Sequence, residues 1–323
     1  MNICESSRPL VECIDVCGTY KNREGSIIHA VNSVNLRICR TETFGLVGES
    51  GSGKSTLGYM ILNLKKTDSG SILFDGRPVT GCTGKQEKEL RRCMQIIFQD
   101  PYLSLDPKMH IGSQIQESLD IFHPEMSREQ KKETVDHMLN SVGLDIRLRH
   151  SLPSELSGGQ RQRVAIAQAL IIHPSFVVCD EPVSSLDVSI QAQILNLLQK
   201  LKEEDGLTYL FISHNLNVIA YTADRIGVMY LGTIVETGPS EDVSSHPLHP
   251  YTQGLFDLSG MVSDKNRKHV VIQGEIPDPA FPPSGCPFHT RCPFCTDRCI
   301  NEKPELQTAG DGRMCACHFV PKS

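Results

Sequence analysis

The residues Gly48-Glu49-Ser50-Gly51-Ser52-Gly53-Lys54-Ser55-Thr56 fit the pattern G-x-x-x-x-G-K-[ST] without a mismatch. Gly48, Gly51 and Gly53 let backbone N–H groups turn inward around anionic oxygens, and a helix starting beside them adds positive potential. Lys54 would reach the outer phosphates of a nucleoside triphosphate, and the Ser55 hydroxyl would hold Mg²⁺. Ser50, Ser52 and Thr56 are counted with them as phosphate-binding positions. Further along, Phe176-Val177-Val178-Cys179-Asp180 is an apolar run ending in a carboxylate, followed at once by Glu181. A buried strand that ends in Asp180 can place a Mg²⁺ partner beside phosphates, and Glu181 is where it could polarise an attacking water. Gln99 and His214 close two other strand-like runs, Gln95-Ile96-Ile97-Phe98 and Tyr209-Leu210-Phe211-Ile212-Ser213. Each is weak taken singly, because polar residues commonly end strands. A second glycine-rich stretch, Leu156-Ser157-Gly158-Gly159-Gln160, opens a helix. Ser157 and the N–H groups at that helix start make a second anion site. The chain would then carry two phosphate-binding ends, and two chains set head to tail would sandwich two nucleotides.

The elements that must position these residues can be read from spacing. Phe44-Gly45-Leu46-Val47 is an apolar run suited to a buried strand, and Ser55 to Leu64 reads as the helix after the phosphate loop. Residues 10–40 alternate as strands do, and Ser71-Ile72-Leu73-Phe74-Asp75-Gly76 reads as a strand and turn. Residues 112–150 have helical spacing at Val135, Met138, Leu139 and Val142, with a stop at Gly143. The helix opened by Ser157 runs to about Ile172 and packs through Val164, Ile166, Ala167, Leu170 and Ile171. Residues 188–204 form another amphipathic helix, carrying Ile190, Ile194, Leu197, Leu198 and Leu201.

As an ordered set these pieces resemble the nucleotide-binding subunit of an ATP-binding cassette (ABC) transporter over about residues 10–240. Cys179-Asp180-Glu181-Pro182 and Ser184-Ser185-Leu186-Asp187 are part of that match. The resemblance implies an α/β fold: a RecA-like core with an antiparallel β subdomain and a helical subdomain at about 100–160. The ATPase domain is expected to span 1–245 and a small Cys-rich extension 246–323. The resemblance also implies ATP and Mg²⁺ as cofactors, with Ser55, Gln99 and Asp180 around the metal. Gln99 would also contact water and sense the permease. Glu181 would be the general base or a water-polarising carboxylate, and His214 would contact the γ-phosphate. Tyr20 would stack on adenine, although the segment 21–28 lengthens the usual spacing. Ser157, Gly158, Gly159 and Gln160 would cap the ATP held by the opposite subunit, and Asp187 would cross the dimer interface. With one cassette in the chain, a second ATPase subunit is required, expected to be related but not identical.

Gln95 to Tyr102, Ser104-Leu105-Asp106-Pro107, Glu49, Val183 to Ile190 and His249-Pro250-Tyr251-Thr252 narrow the resemblance to the dipeptide/oligopeptide permease group. That group includes importers of nickel chelates and glutathione, so the solute stays open. A departure is Gln168, where many members carry a basic residue, and it is expected to affect local ion pairing only. The implied partners are two transmembrane permease subunits and, through them, an extracytoplasmic solute-binding protein. The rival class is a non-transport ABC ATPase. Those usually carry tandem cassettes or a coiled-coil insertion, and this chain shows neither.

The tail carries a second signal. Cys286, Cys292, Cys295, Cys299, Cys315 and Cys317 crowd into a proline-rich segment. By spacing, Cys292-x-x-Cys295-x-x-x-Cys299 resembles half of an iron–sulfur run, with tetrahedral Zn²⁺ as the competitor. The permease group matches at Cys286, Cys292, Cys299 and Cys317, which implies a [4Fe–4S] cluster there and leaves Cys295 and Cys315 as extras. Spacing and resemblance thus disagree about Cys295. Such a cluster would tie together a segment too small to build its own core.

Composition bounds the rest. The chain has 323 residues and a formal net charge of −6, from 32 basic and 38 acidic residues. No basic surface suggests nucleic acid. No apolar run approaches the roughly 20 residues needed to cross a bilayer. The first five residues do not resemble a secretory signal. A membrane role would therefore come through other subunits, with the chain peripheral at the cytoplasmic face of the inner membrane. Thirteen cysteines without a signal point to a reducing compartment and to metal ligation rather than disulfides.

Overall fold

The computed structural model describes residues 8–22, 25–259, 270–310 and 312–320. The first five residues, read above as lacking a signal, lie outside these. Two compact units divide the chain: Met1–Cys82 with Leu210–Ser323, and Thr83–Tyr209.

An antiparallel sheet forms one part of the first unit, in the order Ile27–Ile38, Val11–Lys21, Ser69–Phe74, Arg77–Pro78. Val11, Cys13 and Val16 are buried, so the two-residue alternation slips by one position between Cys13 and Val16. The register shifts there, and Asp15 adopts a left-handed φ of 47°. This bulge returns Val16 to the buried face. The turn after Phe74 uses Asp75 and Gly76, both at positive φ (49° and 70°), as a tight hairpin requires.

The other sheet portion of this unit carries the phosphate loop. Strand Thr43–Val47 is buried at every position, as a strand covered on both faces should be. It runs parallel to Arg225–Tyr230, pairing Phe44 with Arg225 and Val47 with Val228. Thr233–Pro239 continues antiparallel, and Met314–Cys315 from the tail pairs with it through Glu236 and Thr237. The tail is therefore joined to this sheet by main-chain pairing.

In the second unit Met94–Ile97 pairs in parallel with Phe176–Asp180, Met94 opposite Phe176 and Ile97 opposite Cys179. The helical region 112–150 is not continuous. Helix Ile111–Phe122 ends before Pro124, and Arg128–Ser141 begins at a capping box in which Ser127 and Gln130 satisfy each other's N–H groups. Val135, Met138 and Leu139 are buried as their spacing requires, and Gly143 at φ 72° stops the helix. Helix Gly158–Leu170 buries Val164, Ile166, Ala167 and Leu170. Helix Val188–Asp205 buries Ile194, Leu197, Leu198 and Leu201, while Ile190 is half-buried.

Candidate functional site

The chain enters the phosphate loop from the buried strand Thr43–Val47 and leaves it through helix Lys54–Ile61. Gly48, Gly51 and Gly53 take positive φ values of 154°, 78° and 102°. Gly53 admits no side chain: a Cβ there would lie 2.0 Å from the Ala30 carbonyl oxygen. Lys54 is buried, and its Nζ donates to the carbonyls of Gly48 (2.8 Å) and Glu49 (2.9 Å) and to Ser52 Oγ (3.2 Å). The ammonium is thus wrapped by the loop's own oxygens, which is where an anionic phosphate would exchange for them.

Glu49 is held at its other polar groups too. Its N–H donates to the Tyr251 hydroxyl at 2.9 Å. Its carboxylate receives both Arg291 Nη atoms, at 2.7 and 3.0 Å. None of these partners was foreseen from spacing. Glu49 and Tyr251 belong to separate family-like runs, and nothing local in the sequence joins them to Arg291.

His214 is exposed on the turn after strand Thr208–Ile212, ahead of a short helix capped by Asn215. Ser213 Oγ accepts from the Asn215 N–H at 3.0 Å and fixes that turn. Tyr20 is the second-last residue of strand Val11–Lys21, partly exposed, and Lys65 Nζ lies 3.9 Å from the ring centre.

In the second unit, Asp180 is buried at the end of its strand. Glu181 follows in a left-handed conformation, φ 48°, uncommon for a residue with a side chain. Gln99 Nε2 donates to Glu181 Oε2 at 2.9 Å and lies 3.4 Å from Ser184 Oγ. Two residues 82 apart in sequence are thereby brought into one hydrogen bond. Asp187 starts helix Val188–Asp205 without using its side chain as a cap, and it is exposed.

Ser157 caps helix Gly158–Leu170. Its Oγ accepts from the Gln160 N–H (3.3 Å), and Gln160 Oε1 accepts from the Ser157 N–H (2.9 Å). Gly158 is exposed and Gly159 buried. Arg161, also missed by spacing, donates to the Pro153 carbonyl at 2.6 Å and lies 4.0 Å from the ring centre of the exposed Tyr102. It joins the loop after Gln99 to the helix opened by Ser157.

Cys286, Cys292, Cys299 and Cys317 influence one another electrostatically. Burial pushes the Cys286 thiol up to about 12 and Cys292 to about 11, and Cys299 and Cys317 add to both shifts. Cys317 is raised by burial and by Cys299. Backbone N–H groups of Phe288, Phe294 and Phe319 donate to Cys286, Cys292 and Cys317, the chemistry that favours thiolate ligands. Cys295 is exposed, and Cys315 is buried within its strand. Among the described residues, no group of three or more His, Cys, Asp or Glu side chains gathers as ligands to a metal ion. Eleven described cysteines are in no disulfide; Cys39, buried just past strand Ile27–Ile38, is disulfide-bonded, which departs from the expectation of metal ligation rather than disulfides.

The family model "ABC transporter" matches residues 31–184, and "Oligopeptide/dipeptide transporter, C-terminal region" matches 235–299. The chain is 44% identical to the di/tripeptide transport ATP-binding protein DppF of Pseudomonas aeruginosa, over 91% of this chain and 90% of that one. It is 42% identical to the oligopeptide transport ATP-binding protein OppF of Salmonella typhimurium, over 94% and 95%. Among solved structures it is similar to the ATP-binding cassette MJ0796 in a dimeric post-hydrolysis state bound to ADP and Pi. There the TM-score is 0.65 at 32% identity, covering 71% of this chain and 98% of that one. With its ordered motifs and this likeness over nearly its whole length, the chain belongs to the ABC transporter family of ATPases, in the oligopeptide/dipeptide group.

Proposed function

We propose that this chain is the ATP-hydrolysing subunit of a di- or oligopeptide importer, which it powers by closing on ATP together with a second ATPase subunit. The observation that carries the reading is the Gln99–Glu181 hydrogen bond, which holds a carboxylate at the end of a buried strand beside the buried Asp180. Lys54, with Gly48, Ser50, Gly51, Ser52, Gly53, Ser55 and Thr56, binds the phosphates, and Tyr20 takes the adenine. Ser55, Gln99 and Asp180 offer hard oxygen donors of the kind Mg²⁺ prefers, and the metal neutralises phosphate charge when bound. Glu181 orients the attacking water and His214 contacts the γ-phosphate. Ser157, Gly158, Gly159 and Gln160 cap the partner's nucleotide, and Asp187 faces the partner across the interface. The boundary near 245 separates the ATPase domain from the Cys-rich extension.

In the tail, Cys286, Cys292, Cys299 and Cys317 are proposed to hold a [4Fe–4S] cluster. The mutual influence of these thiols and the N–H groups aimed at three of them support that choice. Bound there, the cluster cross-links the segment. Anaerobic purification with iron, sulfide and zinc analysis tests it: zinc without iron would replace the cluster by a Zn²⁺ site.

No described helix is long and apolar enough to cross a membrane. In the proposed complex the chain works at the cytoplasmic face of the inner membrane through two permease subunits, with an extracytoplasmic binding protein supplying the solute. The test is ATP hydrolysis by the complex reconstituted in liposomes with its permeases. Peptide-loaded binding protein should stimulate turnover. Stimulation by a nickel chelate or glutathione, with none by peptides, would overturn the peptide assignment.

A further inference from the structure

Between Cys286 and Cys292 the tail forms a tight turn, His289–Arg291, that sends Phe288 and Arg291 inward. Phe288 packs against Tyr230, Tyr251 and His249, with ring centres 5.3, 5.4 and 5.7 Å away. Beside this aromatic layer the Arg291 guanidinium reaches Glu49, the second residue of the phosphate loop. Its side chain is only 7% exposed and that of Glu49 25%, so the pair is largely shielded from water. The contact is bidentate, with Nη1 to Oε2 at 2.7 Å and Nη2 to Oε1 at 3.0 Å, a geometry that fixes direction as well as charge. Arg291 Nη1 also approaches the Tyr230 hydroxyl at 3.5 Å.

Glu49 has its carboxylate on Arg291, its N–H on Tyr251 and its carbonyl on Lys54. The Tyr251 contact is itself braced. Glu236, fully buried, accepts N–H bonds from Leu248 and His249 at 2.8 Å each and so fixes the chain entering helix Pro250–Ser259. Two segments after residue 245 thus grip one residue of the phosphate loop, and that residue's carbonyl is one of the oxygens around the Lys54 ammonium.

We propose that Arg291 is a positioning residue for nucleotide binding: through Glu49 it holds the phosphate loop in its binding shape, so the Cys-rich extension sets ATP affinity. This rests on the reading of residues 48–56 as the phosphate loop. Arg291 touches no phosphate itself. Its loss frees the Glu49 carboxylate and loosens the carbonyl that Lys54 shares with the incoming anion.

The experiment uses the full chain and measures ATP dissociation constants by calorimetry, with KM and kcat of the reconstituted complex. Arg291→Ala is expected to raise the ATP Kd and KM about tenfold and to change kcat less than about twofold. Arg291→Lys should recover only part, because a lysine supplies a point charge without the fork. Glu49→Ala combined with Arg291→Ala should bind ATP within about twofold of Arg291→Ala, because both act through one contact. A purely structural role would lower the melting temperature and the active fraction while leaving Kd of the folded protein unchanged. An Arg291→Ala Kd within about twofold of the parent, or a double variant whose losses multiply, would overturn the proposal. If Arg291→Ala does not fold, Glu49→Gln removes the same charge pair at constant shape and carries the same expectation and the same refutation. Failure of the parent chain to bind ATP would instead sink the phosphate-loop reading.

Discussion

If the glycine-rich turn caps a partner's nucleotide as proposed, Gly159 serves the chain's own packing and Gly158 serves the partner. An alanine Cβ at Gly159 would lie 2.8 Å from Ile190 Cγ2, so Gly159→Ala must push a packed side chain aside, at about 1–3 kcal/mol of stability. A Cβ at Gly158 meets only Leu186 Cδ2, at an ordinary 3.6 Å. Gly158 is exposed and is the first residue of its helix, where alanine is the better helix former, so Gly158→Ala should leave stability unchanged or raise it by up to about 1 kcal/mol. Its effect should appear only when a partner's nucleotide approaches. A methyl at that face displaces an anionic oxygen from the helix-start N–H groups, and one lost charge-assisted hydrogen bond is worth about 1.5–3 kcal/mol. ATP-dependent association should therefore weaken roughly 10- to 150-fold per site. The assay is ATP-driven dimerisation by sedimentation in the Glu181→Gln background, beside thermal melts of both alanine variants. Gly158→Ala with unchanged stability and unchanged ATP-driven dimerisation would refute the assignment of this turn to the opposite subunit's ATP.

Glu181→Gln should abolish turnover while ATP binding persists and holds the closed dimer. Turnover within about tenfold of the parent would remove Glu181 from the role of general base. His249 gives a pH signature: burial holds its pKa near 3, against an ordinary value of 6.5. The folded histidine is therefore neutral where the unfolded one protonates, so its contribution is complete above pH 6.5 and is lost as pH falls toward 3. At pH 5.5 that loss is about 1.4 kcal/mol. His249→Asn, whose side-chain oxygen can still accept the Tyr251 N–H, should flatten the pH dependence of chemical unfolding between pH 7 and 5, and an unchanged slope would contradict the burial argument.

What was legible in the sequence was local. Phosphate-loop glycines, a strand ending in Asp180 and Glu181, and a serine before two glycines are each a short run whose backbone requirements fall on adjacent residues. The packing positions of the helices followed from their period. Two kinds of feature stayed hidden. The break between Phe122 and Arg128 was masked by the helical spacing on either side, although Pro124 and the Ser127-x-x-Gln130 box mark it once sought. The polar contacts that brace the site were hidden for another reason. Glu49 and Arg291 stand 242 residues apart, and each alone is an ordinary surface charge in the sequence. Strand pairing of the tail with Thr233–Pro239 and the aromatic layer under Phe288 bring them together. Arg161 and Tyr102 repeat the lesson: a cation over a ring has no sequence period.

On the proposed reading, Ser157 serves both its own helix and a second chain. Its hydroxyl oxygen accepts the Gln160 N–H, which settles the cap within the monomer. A hydroxyl has a proton as well as two lone pairs, so accepting that bond leaves the O–H free to turn outward. The cap also fixes the oxygen's position before any partner arrives, so little rotamer freedom is left to lose on contact. Gln160 contributes by returning its side-chain oxygen to the Ser157 N–H, which holds the turn from the other side. The helix cap and the proposed half-site for a partner's phosphate would then be one arrangement. Ser157→Ala should consequently lose both, whereas Gly158→Ala should lose only the half-site, and that difference separates folding from closure within a single turn of chain.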